Sequence, residues 1–210
     1  MRYQYYEELK ELARNVRLQY GLEGPRILKS DLKKIFKQNG IKLDYWPHPL
    51  KGLRGAYFSD EHGTSIMISK KLPNDPMVFT MAHELKHHLT DRAQGLVGKC
   101  LKKESSDPVE IGAEVFAAEF LFPEQLFAQL MDKMDVAMGR CTPEDVVRIK
   151  CETKTTLSYT GLIKRAERLG FAEKGSLPAN GWKRLEEQIY GVPFYKQQFV
   201  ARQAINDGAR

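Results

Sequence analysis

Hydrophobic positions along the chain fall into helical registers towards both ends, with a strand register between them. Residues 2–20 carry Tyr5, Tyr6, Leu9, Leu12, Ala13, Val16 and Tyr20 at helical spacing, with Gly21 where a helix would stop, so this stretch predicts an amphipathic packing helix. A second helix is expected from a Ser30 cap through Leu32, Ile35 and Phe36 to Gly40. Ile41, Leu43 and Tyr45 then alternate with Lys42 and Asp44, the period of a half-buried strand. Past a loop containing Pro47, Pro49, Gly52 and Gly55, residues 56–58 and 64–69 flank a turn over 59–63 and predict a β-hairpin.

The hairpin runs almost directly into the most informative stretch. Asn74 or Asp75 as cap and Pro76 in the first turn predict a helix over 76–90. Within it His83 and His87 are four residues apart, about 40° around the helix and one turn along, so both imidazoles reach one point. Glu84 lies about 100° from His83, beside that point and not on it. Two neutral imidazoles holding zinc, with a neighbouring carboxylate to take a proton from water, is the chemistry of the H-E-x-x-H arrangement. The short pattern also arises by chance on solvated helices. Here Val78, Phe79, Met81, Ala82, Leu85 and Leu89 surround the histidines, and a buried imidazole pair needs partners.

Zinc with two histidines needs a third protein ligand. Residues 91–106, with Gly95, Gly98 and several lysines, read as a mobile connection, and Asp107-Pro108 then opens an apolar helix to Leu121. Glu110 and Glu114 stand four apart on it, two anions that would repel unless a cation lies beside them. Ordinary alternatives exist for both, a capping box of Asp107 with Glu110 and a salt bridge for Glu114.

Both stretches resemble the ImmA/IrrE family of zinc metallo-endopeptidases. The likeness rests on residues 79–87 (FTMAHELKH) and 110–123 (EIGAEVFAAEFLFP), the second similar to the family run E-x-x-A-N-x-F-A-A-x-L-L-x-P, and covers roughly residues 25–170. It implies that His83, His87 and Glu110 bind Zn2+ and that Glu84 is the catalytic base. Two positions depart from the family pattern. Lys86 replaces the usual Gly or Ala and must either snorkel to solvent or reach into the cleft. Glu114 replaces the usual Asn and is read as a residue behind the ligands, accepting the free ring N–H of one histidine. The implied fold class is α+β: a mostly helical zincin-like domain over 1–125 with a small antiparallel sheet beside the active-site helix, then a helical C-terminal region. That region divides into residues 126–175 and an extension over 176–210.

The rest of the chain narrows the setting. A cap at Thr142-Pro143-Glu144-Asp145 opens a helix through Val146, Val147 and Ile149, and a break at 155–160 leads to a helix with Leu162, Ile163, Ala166 and Leu169. With Lys164, Arg165 and Arg168 on the second, the pair looks like a helix-turn-helix, although packing against the catalytic domain is the plainer use. Trp182, Leu185 and Ile189, then 194–204, predict further helices of no assigned chemistry, and His48 and His62 read as solvated loop residues.

Composition of 42% hydrophobic and 29% charged residues is that of a globular protein, and no apolar run approaches the roughly 20 residues of a membrane span. An N-terminus without an apolar segment, and three widely spaced cysteines, Cys100, Cys141 and Cys151, lead to the expectation of a cytoplasmic protein with reduced thiols. A net charge of +6 is a weak pointer to acidic or nucleic-acid partners. The resemblance implies a protein substrate, a helix-turn-helix repressor cleaved to switch on mobile-element or stress genes, with direct DNA binding less favoured and no membrane partner. The competing classes are a non-cleaving, metal-stabilised regulator and one component of a toxin–antitoxin pair.

Overall fold

The computed structural model describes residues 2–47, 53–92 and 107–191. His48, Cys100, the connection expected over 93–106 and the tail from 192 lie outside the described residues. The chain divides into two compact units, Met1–Phe127 with Thr155–Ser158, and Ala128–Lys154 with Tyr159–Arg210.

In the first unit, α1 (Arg2–Gln19) and α2 (Lys29–Gln38) precede β1 (Ile41–Trp46), β2 (Gly55–Asp60) and β3 (Gly63–Ser69). Helix α3 (Asn74–Lys86) runs on into a π-helical turn (His87–Asp91), and α4 (Pro108–Leu121) and the start of α5 (Glu124–Lys133) complete it. Leu9, Ala13 and Val16 of α1, Leu32, Ile35 and Phe36 of α2, Ile66 and Ile68 of β3, Val78, Met81 and Leu85 of α3, and Phe116 and Phe120 of α4 form one buried core. Gly112 allows α1 to approach α4: a Cβ there would lie 2.7 Å from Leu9 Cδ1 and 2.9 Å from the Tyr5 hydroxyl oxygen. Arg17 bridges elements of this unit, its guanidinium donating to the Phe120 carbonyl at 2.6 Å and the Gly24 carbonyl at 2.8 Å. Burial lowers the Arg17 pKa to about 10 although Glu119 opposes the shift, so the group stays charged at neutral pH.

The α+β architecture read from the sequence is present, with one correction to the sheet. Its order is β1-β3-β2; β2 and β3 form the antiparallel hairpin, but β1 runs parallel to β3, so the sheet is mixed and not purely antiparallel. Ile66 and Ile68 are fully buried, which suits β3 to the central position. Since β2 has already reversed the chain, β3 then runs in the same direction as β1. The hairpin turn is tighter than the 59–63 expected, with Asp60 accepting the His62 N–H at 2.8 Å and Gly63 at φ +123°. The second helix also starts otherwise: Ser30 lies inside the first turn, and Asp31 accepts the Leu28 N–H.

In the second unit α6 (Pro143–Thr153) opens with the expected Thr142–Asp145 capping box, and α7 (Tyr159–Arg168) and α8 (Trp182–Tyr190) follow. Helix α8 turns Trp182 and Glu186 inward and leaves Ile189 exposed, so its buried face differs from the apolar spacing in the sequence. The cause is polar: Tyr159 donates to Glu186 at 3.0 Å, and its ring stacks on Trp182 at 5.0 Å. Of the basic residues on α7, Arg165 is buried whereas Lys164 and Arg168 are exposed, which removes one cation from any phosphate-facing surface of this helix. Cys141 and Cys151 are free thiols. Among the described residues no helix is long and apolar enough to cross a membrane.

Candidate metal centre

Helix α3 is buried along most of its length, and Pro73, not Asn74 or Asp75, occupies its N-cap. The helical path runs one residue past the expected end at Thr90 to include Asp91, and its last turn is π-helical, a widening common at functional sites. Opposite it, Asp107 caps α4 by accepting the Val109 N–H at 2.9 Å, and Pro108 occupies the first turn. This sets Glu110 in the first turn of α4, facing the histidines.

His83, His87 and Glu110 converge, with one ligand atom from each lying within 4.8 Å of the others. The two Nε2 atoms are 3.2 Å apart; Glu110 Oε2 is 3.3 Å from His83 Nε2, and Oε1 is 3.6 Å from His87 Nε2. On the far side of the ring, His87 Nδ1 is 2.6 Å from Asp91 Oδ2. Burial opposes ionisation of Asp91, but hydrogen bonds from His87, Lys86 and Thr90 outweigh it and hold the carboxyl below its ordinary value. An ionised Asp91 fixes the proton of neutral His87 on Nδ1, so Nε2 presents its lone pair towards His83 and Glu110. Two ring nitrogens and a carboxylate gathered at one spot form a donor set that fits a metal ion.

Glu84 is 3% exposed, and among the described residues its Oε2 has no hydrogen-bond partner. Burial raises its pKa to about 8, His87 pulling it down and Glu110 pushing it further up. Strand β2 closes over it. A Cβ on Gly55 would lie 2.5 Å from Thr80 Cγ2 and 3.0 Å from both Glu84 Oε1 and Ile68 Cδ1. Thr80 holds that position because its hydroxyl donates to the Pro76 carbonyl at 2.8 Å.

Two expectations change. Glu114 is exposed, and among the described residues no hydrogen bond joins it to His83 or His87; the acceptor for the His87 ring N–H is Asp91. Four residues carry Glu114 about 6 Å further along α4 than Glu110, where its side chain is exposed while Ala113 and Phe116 are buried. Lys86 neither snorkels nor enters the cleft. It is fully buried and ion-paired to Asp91 at 2.9 Å. Sequence reasoning missed Asp91, although its spacing from His87 repeats the His83–His87 interval. It also missed Tyr57, whose hydroxyl lies 3.2 Å from His88 Nδ1. His62 is exposed in the hairpin turn, as expected.

Residues 36–146, from the end of α2 into α6, match the model of Peptidase_M78, the IrrE N-terminal-like domain. No curated protein matches the chain. Among solved structures, a Mycobacterium tuberculosis transcriptional regulator is similar at 12% identity with a TM-score of 0.54, over 76% of this chain and 47% of that one. The present chain thus spans about half that regulator's length, and at this identity the likeness speaks for the fold alone.

Proposed function

Because the chain belongs to the Peptidase_M78 family, the IrrE N-terminal-like peptidases, we propose that it is a zinc-dependent, site-specific endopeptidase acting on a transcriptional repressor. The observation that carries this reading is a buried carboxylate, Glu84, with an unpartnered oxygen beside a three-residue donor set. A purely structural metal site has no use for such a group.

His83, His87 and Glu110 would hold the ion, and Asp91 keeps His87 in the tautomer that can ligate. Zinc, when bound, supplies a Lewis acid that polarises the scissile carbonyl and makes water more acidic. A cation held by the three ligands would counter the burial that raises the Glu84 pKa, which would leave the carboxylate available as a base. Glu84 Oε2 then takes a proton from the attacking water and delivers it to the leaving amine nitrogen. Strand β2 keeps bulk water from the carboxylate on one side, through the close approach of Gly55.

The repressor as substrate, and a setting in gene regulation, rest on the resemblance of residues 79–87 and 110–123 to the ImmA/IrrE enzymes. The test is incubation of the zinc-loaded protein with a helix-turn-helix repressor encoded beside it, with casein as a general substrate in parallel. Cleavage at one site of the repressor, with casein left intact, is expected. Equal digestion of casein would point to a housekeeping peptidase instead, and wild-type turnover by Glu84→Gln would overturn the mechanism.

A further inference from the structure

We propose that Lys86 is a positioning residue of the metal centre, holding the Asp91 carboxylate against His87 and so fixing the ring that presents Nε2. The inference rests on the metal-centre reading above. Lys86 is 0% exposed, and a buried ammonium is tolerated only where it is paired and hydrogen-bonded. Its Nζ lies 3.1 Å from Asp91 Oδ1, 2.9 Å from Asp91 Oδ2 and 3.3 Å from the Val109 carbonyl oxygen, with the Tyr5 ring centroid at 5.9 Å. Three donors therefore meet three acceptors. The Val109 carbonyl keeps the ammonium from swinging away, and the two carboxylate contacts orient Asp91 as a fork.

The remaining contacts of Asp91 explain why that orientation matters. Thr90 donates to Oδ1 at 2.8 Å, while Oδ2 is shared by Lys86 and His87 Nδ1. Oδ2 thus accepts from an ammonium and an imidazole at once, and the carboxylate plane is set by Thr90 and Lys86 before His87 is added. Without Lys86, a buried carboxylate loses its cation and its fork geometry, and the imidazole loses a fixed acceptor. Among the described residues Lys86 contacts Asp91, the Val109 carbonyl and the Tyr5 ring and not the donor triangle, so its action on the metal would pass through Asp91.

Zn2+ affinity, measured by competition with a chromophoric chelator, tests this on wild type, Lys86→Met, Asp91→Asn and the pair, with circular dichroism reporting the fold. Lys86→Met is expected to keep its helical signal and to bind Zn2+ about 10- to 100-fold more weakly, as for other residues that orient a ligand. The pair should lie within about threefold of Asp91→Asn, because two changes on one chain of contacts are not additive. In metal-free protein, the His87 Nδ1–H proton resonance should shift upfield in Lys86→Met, a signature that mere packing would not move. Lys86→Met within twofold of wild type, or a pair whose loss equals the product of the single losses, would overturn the proposal. Should Lys86→Met fail to fold, the pair set against Asp91→Asn decides by the same threefold criterion. If wild type binds no Zn2+, the metal-centre reading itself fails, and the proton resonance still decides whether Lys86 holds Asp91 on His87.

Discussion

Glu84 in the first unit and Glu186 in the second are both buried, at 3% and 4% exposure, yet their surroundings are opposite. Glu186 accepts the Tyr159 hydroxyl, and Tyr159 and Cys151 around it are pushed up, the tyrosine by burial and Glu186, the thiol to about 11 by burial and Glu186. These groups stay protonated and serve as donors, so the cluster ties α6, α7 and α8 together and has no reactive member. Glu84 has an oxygen with no partner and a pKa displaced towards neutrality. A buried acid with its hydrogen bonds made is a fastener, whereas one left short of a bond beside a donor set suits the base that the proposed mechanism requires.

The largest expected effect separates the two at once. Glu84→Gln should keep Zn2+ and the fold while cleavage of the partner protein falls by about 10² to 10⁴-fold, the usual worth of a general base. Glu186→Gln should leave kcat unchanged when both are assayed on the same substrate. Next in size is metal retention: Glu110→Gln should lose most of its zinc by elemental analysis and Glu114→Gln should keep it, consistent with Glu110 against the histidines and Glu114 exposed. The reverse pattern would move the third ligand.

Smaller effects concern stability. In metal-free protein the Glu84 pKa is raised from 4.5 to about 8, so the folded state binds the extra proton. Stability from this group is complete below about pH 4.5 and is lost as pH rises towards 8. Chemical denaturation across that window should therefore show a decline for wild type that Glu84→Gln flattens. Tyr159→Phe removes the donor to Glu186 and should destabilise by about 1–3 kcal/mol at any pH in that range, measured by urea unfolding.

Much of the site was legible because its chemistry lies at short, fixed spacings. His83, Glu84 and His87 need only one helix, and Asp107-Pro108 marks the start of the helix that carries Glu110. The supporting residues were harder to read. Asp91 was assigned to a mobile connection since Gly95 and the lysines beyond it suppress helical periodicity, and nothing in composition signals a π turn. For Lys86 the sequence offers solvent or the cleft and not a buried ion pair, because a lysine is buried only where a partner meets it, and the partner is found by folding, not by spacing. Strand pairing failed for a related reason. Alternation in residues 41–45 identifies a strand, but its direction relative to residues 64–69 depends on which strand takes the centre.

The contact between Gly55 and the active helix has a consequence for how this chain can drift. Codons for glycine lie one base from those for alanine, serine, valine and aspartate, and each of these carries a Cβ into the space held by Thr80 Cγ2 and Glu84 Oε1. Such a change would force Thr80 Cγ2 aside and crowd Glu84 Oε1 and Ile68 Cδ1, the atoms that a Cβ at residue 55 would meet. Crowding around the buried carboxylate is thus within reach of a single base change far from the histidines in sequence. In a set of homologous chains, a residue larger than glycine at this position should go with changes at the positions of Thr80 and Glu84.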